Sequence, residues 1–211
     1  MYTIIDMQKD PRKDQFNLFM SYRNPAVGLT AKVDVSNLVR FCKIRHFSFY
    51  AAMIRIIMLA GNRVPEFRRR IHDGEVREYD TCTVSATEIA PSDVYYYCTL
   101  EAQPDWETYI PYAEKARKAQ RENPSLEENA ESESQFFVTC VPTLAYEQLV
   151  LPYDASSISN PEISWGKYEK DWQGRYMMPV SVLCHHALVD GVHIAAFYKN
   201  VEEELNKLPN K

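Results

Sequence analysis

The stretch Cys184-His185-His186-Ala187-Leu188-Val189-Asp190-Gly191-Val192-His193 decides how the rest of this chain is read. Before it, residues 176–184 carry the aromatic and β-branched types that sheets prefer. After it, residues 193–205 place Ala196, Phe197, Val201 and Leu205 at helical spacing. The decapeptide therefore lies where a strand ends and a helix begins, the kind of loop on which a scaffold exposes reactive side chains. In an extended chain His185 and His186 point to opposite sides, so one can be buried while the other faces a cleft. Gly191 permits a tight turn and Asp190 can cap the helix that follows.

Three uses compete for these side chains. A metal site would take His186, Asp190 and His193 at i, i+4 and i+7 of one helical face. Gly191 and the preceding strand oppose a continuous helix there, and no further His/Cys cluster sits nearby in sequence. A structural role would make both histidines satisfied core or cap residues. General-base chemistry fits the pattern better: free imidazole titrates near ~6.5, so its neutral form is available at physiological pH, provided a hydrogen bond at one nitrogen holds the tautomer. No GxSxG elbow is present, so a covalent serine mechanism is not indicated. Direct attack by a substrate hydroxyl, deprotonated by His186, needs only the base and an oxyanion donor.

Working outward, helices are expected at 36–45, 49–63 and about 105–118 besides the one near the C-terminus. Asp34 or Ser36 is a plausible cap for the first. The second is apolar almost all round and stops at Gly61-Asn62 before Pro65, so it should be well buried. Strands are expected at 76–85, 94–100, 136–141 and 176–184, with 162–167 weaker. The acidic, polar run 121–134 reads as a solvated loop rather than a domain linker. These elements predict one α/β domain over 1–211, a two-layer sandwich with a mixed β-sheet covered by helices.

Composition narrows the function classes. A formal net charge of −5 argues against broad nucleic-acid binding. Local basic clusters at Arg40, Lys43, Arg45 and at Arg68, Arg69, Arg70 read as solvated helix faces in preference to a phosphate patch. Only 6 Gly are present, which disfavours a Gly-rich phosphate loop. Five cysteines without a CxxC pair support neither a zinc knuckle nor a disulfide framework, and a reducing cytoplasm fits them best. The N-terminus lacks a signal-peptide pattern, and the longest apolar run, 47–61, carries Arg55 and is too short to span a bilayer.

HHALVDG resembles the HHxxxDG signature of the chloramphenicol acetyltransferase family, shared more loosely by dihydrolipoyl acyltransferases and peptide-synthetase condensation domains. The likeness runs along nearly the whole chain. It includes Gly28-Leu29-Thr30-Ala31-Lys32-Val33-Asp34-Val35, Phe49-Tyr50 with the apolar helix and Pro65-Glu66-Phe67-Arg68 after it, Phe137-Val138-Thr139-Cys140-Val141-Pro142, and Trp165-Gly166-Lys167-Tyr168. The resemblance implies a cytoplasmic homotrimer with active sites at subunit interfaces, acetyl-CoA as co-substrate, no metal, and a small-molecule hydroxyl acceptor such as chloramphenicol, hence a role in antibiotic resistance. Neither nucleic acid nor membrane is an expected partner.

The resemblance also assigns residues. His186 falls on the general base, Thr139 on a Ser that donates to the oxyanion, and Ser164 on a Thr that bridges to a water in the same network. Asp190 falls on a structural Asp whose Arg partner is best matched by Arg12. Lys167 falls on a Lys near the CoA 3′-phosphate; a second such Lys falls near Ser48, leaving Arg45 or His46 to supply that contact. Phe19 stands where the family has an acceptor-binding Tyr. Tyr95-Tyr96-Tyr97 falls on smaller pocket residues, with Tyr96 taken as the pocket residue and ordinary strand packing as the other reading. Another alcohol, a lipoyl-type thiol, or a non-catalytic trimer that binds CoA or an apolar ligand are the alternatives.

Overall fold

The computed structural model describes residues 1–90, 93–127, 131–154 and 159–209. In chain order the first elements are β1 (Tyr2–Ile5), α1 (Lys13–Met20), β2 (Ala26–Asp34), α2 (Ser36–Arg45), α3 (Phe49–Asn62), β3 (Arg69–His72), β4 (Glu75–Tyr79), β5 (Thr83–Ile89) and β6 (Tyr95–Leu100). Then come α4 (Trp106–Glu122), β7 (Gln135–Val141), β8 (Glu162–Gly166), β9 (Glu169–Lys170), β10 (Tyr176–His185) and α5 (Gly191–Asn206).

The larger sheet runs β2-β10-β8-β7-β5-β6, with β9 hydrogen-bonded to β10. The β5–β7 and β7–β8 pairings are parallel and the others antiparallel, so the sheet is mixed, and it is open at β2 and β6. Helices α2, α3, α4 and α5 pack on it, which makes the α/β arrangement that the sequence predicts. A second, antiparallel sheet has the order β1-β4-β3.

Helix α3 is the centre of the core. Ala51 through Met58, together with Ala60 and Gly61, are buried, and Ser48 caps the helix by accepting from the Ala51 N–H at 3.3 Å. Its approach to the sheet is set by Gly61: a Cβ there would lie 2.8 Å from the Phe136 ring of β7, which only glycine avoids. Arg55 is the one charged residue in this buried stretch. Its guanidinium lies over the rings of Trp106 and Tyr109, 5.0 and 5.4 Å from their centroids, and donates to the Pro104 carbonyl at 3.2 Å.

Several expectations are corrected. The strand expected over 76–85 is two strands in different sheets. The Asn62 side chain accepts the Cys82 N–H at 2.6 Å and donates to the Cys82 carbonyl at 2.8 Å, while Arg68 takes the Tyr79 carbonyl. Together these hold the chain in a crossover where a continuous ladder was expected. Arg68, Arg69 and Arg70 are not a solvated helix face. Arg68 and Arg69 pair with Glu78, and Arg69 also with Asp10.

Arg70 is fully buried and donates to the carbonyls of Phe67, Arg69, Glu133 and Gln135. It joins the small sheet to the start of β7. The other cluster, Arg40, Lys43 and Arg45, is exposed on α2 as expected.

In the acidic run, α4 continues to Glu122, a short 3-10 turn covers Ser132–Ser134, and residues 128–130 lie outside the described residues. Among the described residues all five cysteines are free, and no helix is long and apolar enough to cross a membrane.

Candidate active site

Strand β10 delivers the two histidines to a turn. His185 is its last residue and is 2% exposed. Its carbonyl accepts the N–H groups of Leu188 and Val189, both at 3.0 Å, and the His186 N–H donates to the Pro25 carbonyl at 2.7 Å. Ala187, Leu188 and Val189 are buried under this turn. The alternation expected for the pair holds: His185 goes inward, where its Nδ1 accepts the Ala187 N–H at 3.2 Å, and His186 stays partly exposed.

Four residues fix the His186 ring and its support. Its Nδ1 lies 2.9 Å from the Val189 carbonyl and 3.1 Å from Asp190 Oδ1, two acceptors that only an Nδ1–H can serve. That assigns the tautomer and leaves the Nε2 lone pair without a partner among the described residues. Phe19 of α1 stacks on the imidazole, with centroids 3.7 Å apart and planes 13° off parallel. Arg12 bonds Asp190 Oδ2 through one guanidinium nitrogen and the His186 carbonyl, at 3.1 Å, through the other.

Asp190 is the N-cap of α5, and its N–H donates to His193 Nδ1 at 2.9 Å. Burial lowers the pKa of His193, whose Nε2 faces Glu66 Oε1 at 3.7 Å. A continuous i, i+4, i+7 helical face does not form, because the helix starts only at Gly191; His186 and Asp190 pair with each other, and His193 Nδ1 accepts the Asp190 N–H. Gly191 also departs from expectation: it has no positive φ, and a Cβ there would meet open space.

Other expected residues collect at a cavity of about 1200 Å³, whose lining includes Thr139, Lys167, Phe137, Tyr95, Tyr97 and Trp165. Register explains the grouping: Thr139 on β7 pairs with Ser164 on β8, Ser164 with Ser181 on β10, and Ser181 with Thr30 on β2. A row of hydroxyls therefore crosses four strands, and Thr87 of β5 extends it. Thr30 and Ser181 lie 2.7 Å apart through their hydroxyls, Thr87 and Thr139 2.6 Å, and Tyr146 OH lies 3.5 Å from the Ser164 and Ser181 oxygens. Gly166 lets the 144–146 segment close over this row, since a Cβ there would lie 2.6 Å from the Leu144 carbonyl oxygen.

Tyr96 requires correction. Strand alternation puts it on the face with Cys98 and Leu100; it is 1% exposed, and it does not line the cavity. Its neighbours Tyr95 and Tyr97 do. Lys167 is half-exposed, 3.8 Å from Glu169. Ser48 is spent on capping α3, and Arg45 is bonded to Glu107.

His186 and Thr139 are not brought together within one chain. Ser181 and Thr139 share the hydroxyl row, and His186 lies five residues further along. At ~3.3 Å per residue and ~4.8 Å per strand, the two positions are roughly 15–20 Å apart. Two side chains of the lining were not read from the sequence. Glu88 of β5 is held by two Arg117 nitrogens, one at 3.1 Å. Glu162 of β8 is 8% exposed, and burial pushes its carboxyl up to about 7. The alternation Glu-Ile-Ser-Trp over 162–165 was the available signal.

Comparison with known proteins bears on the family and the fold. The family model described as Chloramphenicol acetyltransferase matches residues 1–202. A chloramphenicol acetyltransferase of Klebsiella sp is 24% identical over 204 residues, covering 96% of this chain and 93% of that protein. One from Clostridium perfringens is 27% identical over 207 residues, covering 96% and 97%. A solved chloramphenicol acetyltransferase superposes with a TM-score of 0.83 at 25% identity, over 97% of this chain and all of that one. With the family model spanning the histidine turn, the hydroxyl row and the cavity wall alike, the chain belongs to the chloramphenicol acetyltransferase family of acyltransferases.

Proposed function

We propose that this chain is a CoA-dependent O-acetyltransferase that moves acetyl from acetyl-CoA to a hydroxyl of a small molecule, chloramphenicol being the acceptor that the relatives' names point to. The observation that carries the reading is the His186 ring, whose Nδ1 is engaged by Val189 and Asp190 while its Nε2 has no partner among the described residues. Such a ring is a base with one nitrogen held ready.

In the proposed reaction His186 Nε2 takes the acceptor's hydroxyl proton as the oxygen attacks the thioester carbonyl. The tetrahedral oxyanion is held by Thr139. For Thr139 to donate, its oxygen must accept from Thr87, 2.6 Å away, which makes Thr87 a positioning residue. Collapse breaks the C–S bond, and the leaving thiolate takes the proton from His186. Lys167 offers its ammonium to a CoA phosphate at the cavity mouth. Ser164, between Thr139 and Ser181, orders the same network.

The separation of roughly 15–20 Å along and across the sheet supports a homotrimer in which His186 and Phe19 of one copy face the cavity of the next. An oxyanion donor acts only at about 3 Å, so one chain alone does not complete the site. Residence in the cytoplasm accords with five free cysteines. The test is thiol release from acetyl-CoA with and without chloramphenicol, for the wild type and His186→Ala. Chloramphenicol-dependent release that the substitution abolishes is the expected result. Release that persists in His186→Ala removes the histidine from the mechanism.

A further inference from the structure

We infer that Glu162 is a specificity-determining residue that selects an acceptor bearing a protonated amine, a role that rests on the acetyl-transfer reading only in calling the ligand an acceptor. Glu162 lines the cavity, is more than nine-tenths buried, and its Oε2 has no hydrogen-bond partner among the described residues. A buried acceptor atom left unpaired costs stability, so a carboxyl that carries one in the wall of a cavity is matched to a donor from outside.

The surroundings say which donor. Glu162 pairs with Phe137 on β7 and Leu183 on β10, both apolar. The partly buried cation of the lining, Arg117, is already held by Glu88, and Lys167 lies near Glu169. Asp93, also in the lining, adds negative charge, and the titratable groups within electrostatic reach of Glu162 are Tyr153 and Cys184. No described cation neutralises Glu162, and desolvation alone pushes its carboxyl up to about 7. A ligand ammonium supplies both the missing donor and the missing charge. The rings of Phe137, Tyr97 and Tyr95, which the register puts on Glu162's face of the sheet, suit a cation carried on an aromatic body.

Position along the strand puts this group on one side of the chemistry. On β8, Glu162 precedes Ser164 by two residues and Lys167 follows it by three, so the hydroxyl row lies between them. With CoA at the Lys167 end, the carboxyl faces the acceptor end.

The experiment compares 2-amino-1-phenylethanol with 1-phenylpropan-1-ol, which replaces the ammonium by a methyl group of similar size. Binding to the wild type, Glu162→Gln and Glu162→Leu is measured by isothermal titration calorimetry without acetyl-CoA. The wild type should prefer the amine by about tenfold or more, the scale of a charge-assisted hydrogen bond, and Glu162→Gln should erase that preference. Glu162→Leu should favour the alcohol. Equal binding of the two probes by the wild type, no binding of the amine, or a preference that survives in Glu162→Gln each overturns the inference. Thiol release is followed separately. An amine preference without turnover keeps the Glu162 site and rejects acetyl transfer, whereas turnover on chloramphenicol without an amine preference does the reverse.

Discussion

Phe19 lies flat on His186, its ring centroid 3.7 Å from that of the imidazole. Helix α1 buries no residue of its own, so this stacked pair and the neighbouring Arg12 contacts are what tie it to the histidine turn.

Stacked aromatic pairs are worth about 0.5–1.5 kcal/mol beyond their buried area, so Phe19→Ala should slow thiol release by roughly two- to tenfold. Phe19 is only partly buried, and the thermal midpoint should move little. A stopped-rate assay beside a melting curve checks both. An unchanged rate would leave the ring as packing alone.

Arg12 reaches two groups that diverge, the Asp190 carboxylate and the His186 carbonyl. A lysine ammonium does not span both as a planar fork does, so Arg12→Lys should recover little of what Arg12→Ala loses. Breaking a fully buried pair costs about 3–5 kcal/mol; this one is partly exposed, so roughly 1–3 kcal/mol is expected for either single alanine. The double variant should lose less than the sum, as one partner's removal already spoils the other. Urea denaturation of the four proteins closes the cycle.

With Thr139 in its proposed role, Thr139→Val should lower kcat by about 10²–10³, the usual effect of removing one oxyanion donor. Mixed and refolded with His186→Ala, it should regain activity. Random 1:1 assembly places an intact His186 against an intact Thr139 in about one interface in four, so about a quarter of wild-type turnover is expected. Two inactive parents that stay inactive together would argue for a site within one chain.

Glu162 makes stability depend on pH. Its carboxyl titrates at about 7 when folded against 4.5 in the reference state, so the native chain holds a proton that the unfolded chain has released between those values. Its contribution is therefore undiminished below pH 4.5 and falls as pH rises toward 7. Above that, ionisation costs roughly 3 kcal/mol. Glu162→Gln should raise the denaturation midpoint at pH 8 and leave it unchanged at pH 4. A gain of equal size at both would point to packing instead of charge.

What the sequence made legible follows from how local each signal is. The turn at His185–Gly191 and the helix α3 were readable because strand-to-helix change and an all-round apolar run are written in neighbouring residues. Helix α2 begins and ends where its spacing says. The break between β4 and β5 was not readable, since it depends on the Asn62 side chain meeting Cys82 from a distant helix.

Three adjacent tyrosines guarantee that alternation turns the middle one away from the other two. Which set meets the cavity depends on the pairing of Tyr95 with Ile89 and Tyr97 with Thr87, and only the register decides that. Glu162 was passed over because 162–167 reads only as a weak strand, and that β8 lies between β7 and β10 is decided by strand order. The division of His186 from Thr139 emerges only once strand order is known.

Arg70 has a consequence for how the molecule comes apart. Its guanidinium holds carbonyls at the ends of both sheets, Arg69 on one and Gln135 on the other, in a place water does not reach. Peeling the β1-β4-β3 sheet away would strand a charged group and several acceptors at once. Amide hydrogens of β3 and β4 are therefore bound to exchange with solvent at the pace of β7, through whole-molecule opening, and a protease will find no early nick between the two sheets.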